Sequence, residues 1–334
     1  VNNSKRVLMA IESSCDDTGV CIISEDRKIL ANLLSSQIEI HNRFGGVVPE
    51  IASRKHLEVI NPMIDQALQI ANCRFSDLDA VAATIGPGLI GALLVGVCTA
   101  KTIAFTNNIP FIGVNHLKGH ISANYLIYND LQPPFMVLLC SGGHTQLIFV
   151  QDDETFIRVG NTLDDAAGEA FDKGARILNL GYPGGPQIEK VAKTGNPQFV
   201  QFPRALREKA NFDFSFSGLK TSLLYHTRKH PEDDIADVAA SYQEAIVDSL
   251  VEKSFRAARK QGTKKIIFAG GVAANRRLRE KATQKAQNWS YQTYFPPLDF
   301  CTDNAAMIAS AAWQRFEQAD FDSLDMRADP SLTI

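Results

Sequence analysis

Arg6-Val7-Leu8-Met9-Ala10-Ile11 is a short apolar run that stops at Glu12-Ser13-Ser14-Cys15-Asp16-Asp17, and a second apolar run extends from Thr18 to Ile23. The lengths of the runs and the polar block between them predict a strand, a tight polar turn and a returning strand. The plan starts again at Pro134, with Phe135 to Cys140, the turn Ser141-Gly142-Gly143-His144, and Thr145 to Val150. The elements after each opening also match in order. In the first half come an extended run Ile29 to Gln37 and a helix from Pro49 to about Ala71, with Ile51, Leu57, Ile60, Ile64 and Leu68 on its buried face. The strand Ala80 to Ile85, the turn Gly86-Pro87-Gly88, the helix Leu89 to Phe105 and the strand Ile109 to Val114 complete that half. In the second half come a strand Phe156 to Val159, a helix Asp164 to Leu178 and a long helix Ile235 to Arg259. The strand Lys265 to Ala269, the turn Gly270-Gly271, the helix Ala273 to Gln287, the strand Tyr291 to Phe295 and a closing helix Thr302 to Glu317 complete it.

Two copies of three strands, helix, strand, helix predict two duplicated α/β lobes with a cleft between them. The first lobe is read as 1–132 and the second as 133–334, with the closing helix 302–318 able to pack back on the first. Residues 181–232, rich in Gly, Pro, Phe and charge, read as an insertion with short helices.

Composition narrows the class. A chain of 334 residues with 45% hydrophobic and 21% charged residues is ordinary for a globular protein of two domains. The longest apolar stretch, Leu89 to Val97, is too short and too broken by glycine for a membrane span. The start Val1-Asn2-Asn3-Ser4-Lys5-Arg6 carries no apolar signal core, and six scattered cysteines without CxxC pairing suit a reducing compartment, so a cytoplasmic location is expected. A net charge of −3 excludes a uniformly basic nucleic-acid coat and leaves room for a local basic patch.

Asn115-His116-Leu117-Lys118-Gly119-His120 holds two of seven histidines. On a helix His116 and His120 stand one turn apart, where two imidazoles can grip one metal ion, although Gly119 weakens such a helix by about 1 kcal/mol relative to Ala. A third ligand is available in Asp303, at the start of the closing helix, where the competing reading is a plain helix cap. Two imidazoles and a carboxylate suit Fe(II) or Zn(II).

Other segments suit a nucleotide. The polar turns Glu12–Asp17 and Ser141–His144 offer amides and hydroxyls to phosphate oxygens, and the turn Gly86–Gly88 reads either as an anion site at a helix N-terminus or as a tight connection. Gly270-Gly271 lets backbone approach a ring or phosphate, with Asn275 presenting an amide to a ribose or base. Asp165, Glu169 and Asp172 fall at i, i+4 and i+7 of one helix face, interrupted by small residues, and Asp172 is placed to accept ribose hydroxyls. Tyr182-Pro183-Gly184-Gly185-Pro186 reads either as a bare turn or as a second wall of the pocket. Phe202 to Lys209 and Phe212 to Lys220 mix aromatics with charge and are read as core packing ahead of base stacking. Arg276, Arg277, Arg279, Lys281 and Lys285 form a cationic face that is either solvated or set against RNA phosphates.

Taken together and in this order, Ile11 to Thr18, Phe44 to Glu50, Gly86-Pro87-Gly88-Leu89, His116 to His120, Ser141 to Thr145, Asp164 to Lys173, Phe214 to Thr221, Gly270 to Asn275 and Cys301 to Asn304 resemble the bacterial TsaD family, also called YgjD or Gcp. The resemblance runs nearly end to end. It implies the actin-like ATPase, sugar kinase and Hsp70 fold superfamily, with a central nucleotide and metal cleft. It also implies transfer of the threonylcarbamoyl group from threonylcarbamoyl-AMP to N6 of the adenosine 3′ of the anticodon in tRNA, with release of AMP. The family's metal ligands fall on His116, His120 and Asp303. Its adenylate pocket, which ATP, ADP or AMP could also occupy, falls on Leu139, Cys140, Ser141, Gly142 and Gly143, and on Asp172, Gly185 and Asn275. The implied partners are tRNA, a TsaB-like dimer partner, a TsaE-like ATPase and a TsaC-type enzyme that makes the intermediate. Asp16, beside the first polar turn, is the candidate for proton handling.

Two rival classes are open at this stage. One is a non-catalytic ATP-binding scaffold or chaperone-like module, since the fold alone licenses nucleotide binding. The other is a metalloprotease, against which the sequence itself argues: a zincin needs His-Glu-x-x-His, and Leu117 stands where the glutamate would be.

Overall fold

The computed structural model describes residues 5–128, 130–208 and 210–334. Val1 and Lys209 therefore lie outside the described residues. Strands β1 (Val7–Glu12), β2 (Asp17–Ser24) and β3 (Ile29–Ser36) form a meander, followed by α1 (Ile38–Asn42), α2 (Pro49–Ala71), β4 (Ala80–Gly86), α3 (Ile90–Asn107), β5 (Phe111–Asn115) and α4 (His116–Ser122). The plan repeats with β6 (Phe135–Cys140), β7 (Thr145–Val150), β8 (Phe156–Asn161), α5 (Ala167–Ile177), α6 (Gly184–Ala192), α7 (Ser217–Lys229), α8 (Ile235–Lys260), β9 (Lys265–Ala269), α9 (Arg276–Trp289), β10 (Gln292–Tyr294) and α10 (Ala305–Glu317).

The strands make two five-stranded sheets, ordered β3-β2-β1-β4-β5 and β8-β7-β6-β9-β10. In each, the first three strands are antiparallel and the last two join the first in parallel, with Leu8 opposite Ile23 and Ala80, and Leu138 opposite Leu147 and Phe268. The order is the same in both. Every residue of β1 and of β6 is buried, as expected for strands covered on both faces, which is why each reads as an unbroken apolar run.

The chain divides into two compact units, Val1–Asn129 with Asp303–Ile334, and Asp130–Thr302. The last 32 residues belong to the first unit rather than to a second lobe of 133–334. The cause is α10, whose Ala305, Ile308, Ala309, Ala312 and Trp313 are buried, and which packs on β1, β2 and α4. Its approach depends on two glycines: a Cβ on Gly19 would lie 2.8 Å from the Ala305 backbone nitrogen, and one on Gly119 would lie 2.7 Å from Ile308 Cδ1. Gly119 is therefore the contact point of two helices. The tail beyond α10 is also tied down, with Asp322 N–H bonded to Phe111 O, Asp329 N–H to Ile85 O and the Asn115 side-chain amide to Thr333 O.

In the first unit, Met9 and Ile11 pack with Ile60, Ile64, Leu68, Val97 and Ile103 from α2 and α3. The buried stripe of α2 runs through Ala52, His56, Ile60, Met63, Ile64 and Ala67; Leu57 sits one residue out of phase with it and is 63% exposed, contrary to the sequence reading. By length and composition α3 could cross a bilayer, but Ala92, Leu93, Val97, Ala100 and Ala104 are buried, and α3 packs on α2 and β4 as a core helix.

The core of the second unit gathers Phe202, Phe212, Phe214 and Phe216 with Tyr242 and Phe255. The phenylalanines of the mixed segments are thus core. The surrounding loop has little regular structure of its own and is strapped to α8, where Lys253 Nζ donates to Leu206 O and Asp213 O and Arg256 donates to Arg207 O and Glu208 O. Buried backbone carbonyls need such donors where no ladder supplies them.

Candidate functional site

The metal-binding candidates are brought together by local capping. Asn115 Oδ1 accepts from Leu117 N–H (2.9 Å) and Lys118 N–H (3.3 Å), so α4 begins at His116 and its two histidines share one face. Asp303 does not cap α10. Asn304 does, accepting from Met307 N–H at 3.0 Å, and this leaves the Asp303 carboxylate to the histidines. Asp303 Oδ1 lies 3.4 Å from His116 Nε2 and 3.2 Å from His120 Nε2, and the ligand atoms of the three residues lie within 4.8 Å of one another. The imidazole rings are 4.7 Å apart and nearly perpendicular.

Behind this triad stands a residue the sequence reading missed. Glu12, fully buried at the end of β1, places Oε2 3.0 Å from His116 Nδ1, and is itself held by Ser14 N–H (2.6 Å) and Thr84 Oγ (2.6 Å). A carboxylate on Nδ1 fixes the ring and its tautomer and leaves Nε2 as the ligand nitrogen. The available signal was a charged residue closing an all-apolar strand, which must find a partner when buried.

Charge in this cluster is unbalanced without a cation. Burial opposes the charge on His116, yet the Asp303 and Glu12 carboxylates hold its pKa well above the usual histidine value. Burial likewise opposes ionisation of Glu12 and Asp303, but the neighbouring His116 keeps both carboxyls below the ordinary range. His120 Nε2 is buried, and its close polar neighbour, Asp303 Oδ1 at 3.2 Å, lies off a hydrogen-bonding direction. Two carboxylates, a histidine drawn toward its charged form and an orphaned imidazole nitrogen fit a divalent ion, and the N₂O donor set serves Fe(II) and Zn(II) alike.

Asp16 sits at the mouth of the first polar turn with its carbonyl bonded to Gln37 N–H. Burial pushes Asp17 up to about 7, against the Ser36 hydroxyl and helped by Asp303, Asp16 and Glu12, and one of its oxygens is buried without a hydrogen bond. The turn is pinned by His56, whose Nε2 meets Cys15 O at 3.0 Å and whose Nδ1 meets Thr18 Oγ at 2.7 Å. The turn Gly86–Gly88 is a tight connection: Leu89 N–H donates to Ser14 O and Gly88 N–H to Pro330 O, so these amides are spent within the protein.

In the second unit the nucleotide-binding candidates gather where β6 and β9 end. Ser141 O accepts from Gly168 N–H (3.2 Å), a Cβ on Gly168 would lie 2.5 Å from Ser141 O, and a Cβ on Gly270 would lie 2.4 Å from Cys140 O. Gly270 also has a φ of +86°, which glycine adopts without strain. Asp172 Oδ1 accepts from Gly184 N–H at 2.7 Å, joining α5 to the start of α6. The carboxyl ends of parallel strands are where α/β sheets bind ligands. Gly142 and Gly143 are exposed, and a Cβ on Gly142, Gly143 or Gly185 would meet nothing within 4 Å, so their backbone faces open space.

Several sequence expectations change here. Leu139 and Cys140 are fully buried in β6 and paired in its sheet, so the surface open to a ligand begins with the turn at Ser141. Asn275 is buried and caps α9, with Oδ1 accepting from Leu278 N–H and Nδ2 donating to Gln243; the helix accordingly starts at Arg276 rather than Ala273. Asp165 precedes α5 and so does not share a helix face with Glu169 and Asp172; it pairs with Lys173 instead. The cationic face of α9 is largely neutralised, Arg276 pairing with Glu280, Arg277 and Lys281 with Glu244, and Lys285 with Glu252, while Arg279 binds the carbonyls of Ala273 and Pro296.

Comparison with known proteins identifies the family. The family model for TsaD, tRNA N6-adenosine threonylcarbamoyltransferase, matches residues 28–310. A protein of that name from Kosmotoga olearia is 57% identical over 98% of this chain and 98% of its own, and one from Thermotoga neapolitana is 49% identical over 98% and 99%. Among solved structures, full-length HypF in its phosphate- and nucleotide-bound form shares the fold, with a TM-score of 0.65 at 14% identity, covering 96% of this chain and 48% of HypF. At such length and identity, the chain belongs to the TsaD family of tRNA N6-adenosine threonylcarbamoyltransferases.

Proposed function

We propose that this chain is an acyltransferase that moves the threonylcarbamoyl group from threonylcarbamoyl-AMP to N6 of the adenosine 3′ of the anticodon, in tRNAs reading codons that begin with A. The product is threonylcarbamoyladenosine and AMP. The observation that carries this reading is the cluster of His116, His120 and Asp303 backed by buried Glu12 in a chain that matches the family over nearly its full length. In the reaction N6 attacks the threonylcarbamoyl carbonyl, the bond to the AMP phosphate breaks, and N6 gives up a proton. Because the N6 lone pair is delocalised into the ring, activation of the carbonyl and positioning carry most of the rate.

We assign metal binding to His116, His120 and Asp303, with Glu12 orienting His116. A divalent ion held there would supply Lewis-acid polarisation of the acyl group. Adenylate recognition is assigned to the end of β6 at Leu139 and Cys140, through the turn Ser141 to Gly143 that it carries, and to Gly185, with Asp172 as the ribose acceptor. Asn275 is assigned to the same pocket as the cap of α9 just after the diglycine turn. Asp17, with Asp16 beside it, is the acid–base candidate, since its pKa lies near the working pH. The repeated strand order supports placing both sheets in the actin-like ATPase, sugar kinase and Hsp70 superfamily. A cytoplasmic setting, a TsaB-like partner, a TsaE-like ATPase and a TsaC-type supplier of the intermediate complete the proposal.

The test is transfer of label from threonine-labelled threonylcarbamoyl-AMP to unmodified tRNA, with and without the TsaB-like and TsaE-like proteins. Label at N6 is expected, and its absence with the full set would leave a nucleotide-binding scaffold as the better reading.

A further inference from the structure

At the end of α7 the sequence His226-Thr227-Arg228-Lys229-His230-Pro231-Glu232-Asp233 gathers four metal-ligating side chains within eight residues. His226 and His230 stand one helical turn apart, and His230 N–H still donates to His226 O at 2.9 Å, so both imidazoles leave the same face. Pro231 then stops the helix, and Asp233 N–H donates back to His230 O at 3.3 Å, which folds the carboxylates of Glu232 and Asp233 toward the histidines. The ligand atoms of His230, Glu232 and Asp233 lie within 4.8 Å of one another. His226 Nε2 is 2.9 Å from Asp233 Oδ2, His230 Nδ1 is 3.7 Å from Glu232 Oε1, and the two rings are 5.1 Å apart.

The orientation of His226 separates this cluster from an ordinary ion pair. Its Nε2 is shielded from solvent and makes no hydrogen bond, although a carboxylate oxygen lies 2.9 Å away. The nitrogen and the oxygen are therefore close without sharing a proton along a bonding direction, as two ligands of one ion would be. The ring of Phe202 packs edge-on against His226 at 5.7 Å and limits its rotation. One imidazole nitrogen and two carboxylate oxygens, with the His226 imidazole against one of those carboxylates, form a borderline donor set that suits zinc and its neighbours, whereas calcium or magnesium would take oxygen alone.

We propose that His230, Glu232 and Asp233, with His226 set beside Asp233, form a second divalent transition-metal site, distinct from the His116, His120 and Asp303 triad, that fastens the end of α7 to the start of α8. Because the ligands are nearly contiguous in sequence, closing the site fixes only a short loop. The inference stands whether or not the transferase reading holds.

The test is equilibrium dialysis of the chelator-stripped full chain against Zn²⁺, with bound metal counted per chain. Two equivalents are expected for the unaltered protein and one for His116→Ala with His120→Ala. That remaining equivalent should vanish on adding His226→Ala with His230→Ala, and also on adding Glu232→Gln with Asp233→Asn. Circular dichroism of each variant checks that the fold is retained. If the His116→Ala, His120→Ala protein binds no zinc, or binds an equivalent that the changes at 226, 230, 232 and 233 leave in place, the cluster is an ion pair and the proposal is wrong.

Discussion

Glu12 Oε2 and His116 Nδ1 are 3.0 Å apart, both buried, and the opposite nitrogen of the same ring faces Asp303 at 3.4 Å. The strand that opens the chain thus orients the histidine proposed as a metal ligand. Replacing Glu12 by Gln keeps the shape but removes the charge that fixes the ring. Metal affinity should fall about 10- to 100-fold, as for other carboxylates behind a ligating histidine. A competition titration with a zinc-chelating dye would measure it. Unchanged affinity in a folded protein would mean that Glu12 serves β1 and not the metal.

Gly19 and Ala305 give a second handle, outside the proposed ligand set. Alanine at 19 brings its Cβ to 2.8 Å from the Ala305 backbone nitrogen, closer than real contacts allow, and backbone cannot swing aside as a side-chain tip can. The start of α10 must shift, and Asp303 lies two residues before it. Gly19→Ala should therefore cost about 1–3 kcal/mol of stability, as overpacking does, and weaken metal binding out of proportion to that loss. Thermal melts with and without metal would separate the two effects. Gly119→Ala meets only the tip of Ile308 and should be milder on both measures.

These two glycines also show where sequence reasoning ran out. The strand–turn–strand opening and its repeat were legible because burial on both faces makes β1 and β6 continuous apolar runs. The residues His116, His120 and Asp303 were legible as ligand types, but not the division of labour between Asp303 and Asn304: one carboxylate and one amide at adjacent positions compete for a single cap, and tertiary packing decides. Glu12 and Gly19 were illegible for a related reason: the partner of Glu12, His116, lies 104 residues away on α4, and the role of Gly19 exists only once α10 lies over β2. The apparent cationic face of α9 failed in the opposite direction, because its partners Glu244 and Glu252 sit on α8, where helix periodicity in α9 gives no hint of them.

The metal triad should also give stability a distinctive pH signature. In the metal-free protein the pKa of His116 is raised, so its stabilising contribution is complete below the unfolded histidine value of 6.5 and is lost as pH rises through the folded value. The depressed carboxyls of Glu12 and Asp303 contribute above their unfolded values of 4.5 and 3.8 and lose that contribution as pH falls through the folded ones. Metal-free protein should thus be most favoured by this cluster from about pH 5 to 6.5, and its Tm should fall on the alkaline side. Added zinc displaces the protons, so the zinc-dependent rise in Tm should grow over the same alkaline range. A zinc increment that stays flat from pH 6 to 9 would argue against His116 as a ligand.

Asp17 provides the most direct link between stability and the proposed chemistry. Its carboxyl is raised from 3.8 to about 7 by burial, with Asp303, Asp16 and Glu12 adding to the effect, so the native state holds a proton there that the unfolded chain has released. Its contribution is therefore unfavourable to folding at high pH: the cost builds as pH climbs from about 4 to about 7 and stays constant above. Asp17→Asn, which cannot ionise, should leave stability unchanged near pH 4 and raise it at pH 8 by on the order of 2 kcal/mol once solvent screening is allowed for. If the same residue handles the proton released from N6, that more stable variant should lose transfer activity while still binding metal and adenylate. A variant stabilised at pH 8 with full activity would confine Asp17 to electrostatic strain and return the proton to Asp16 or to solvent.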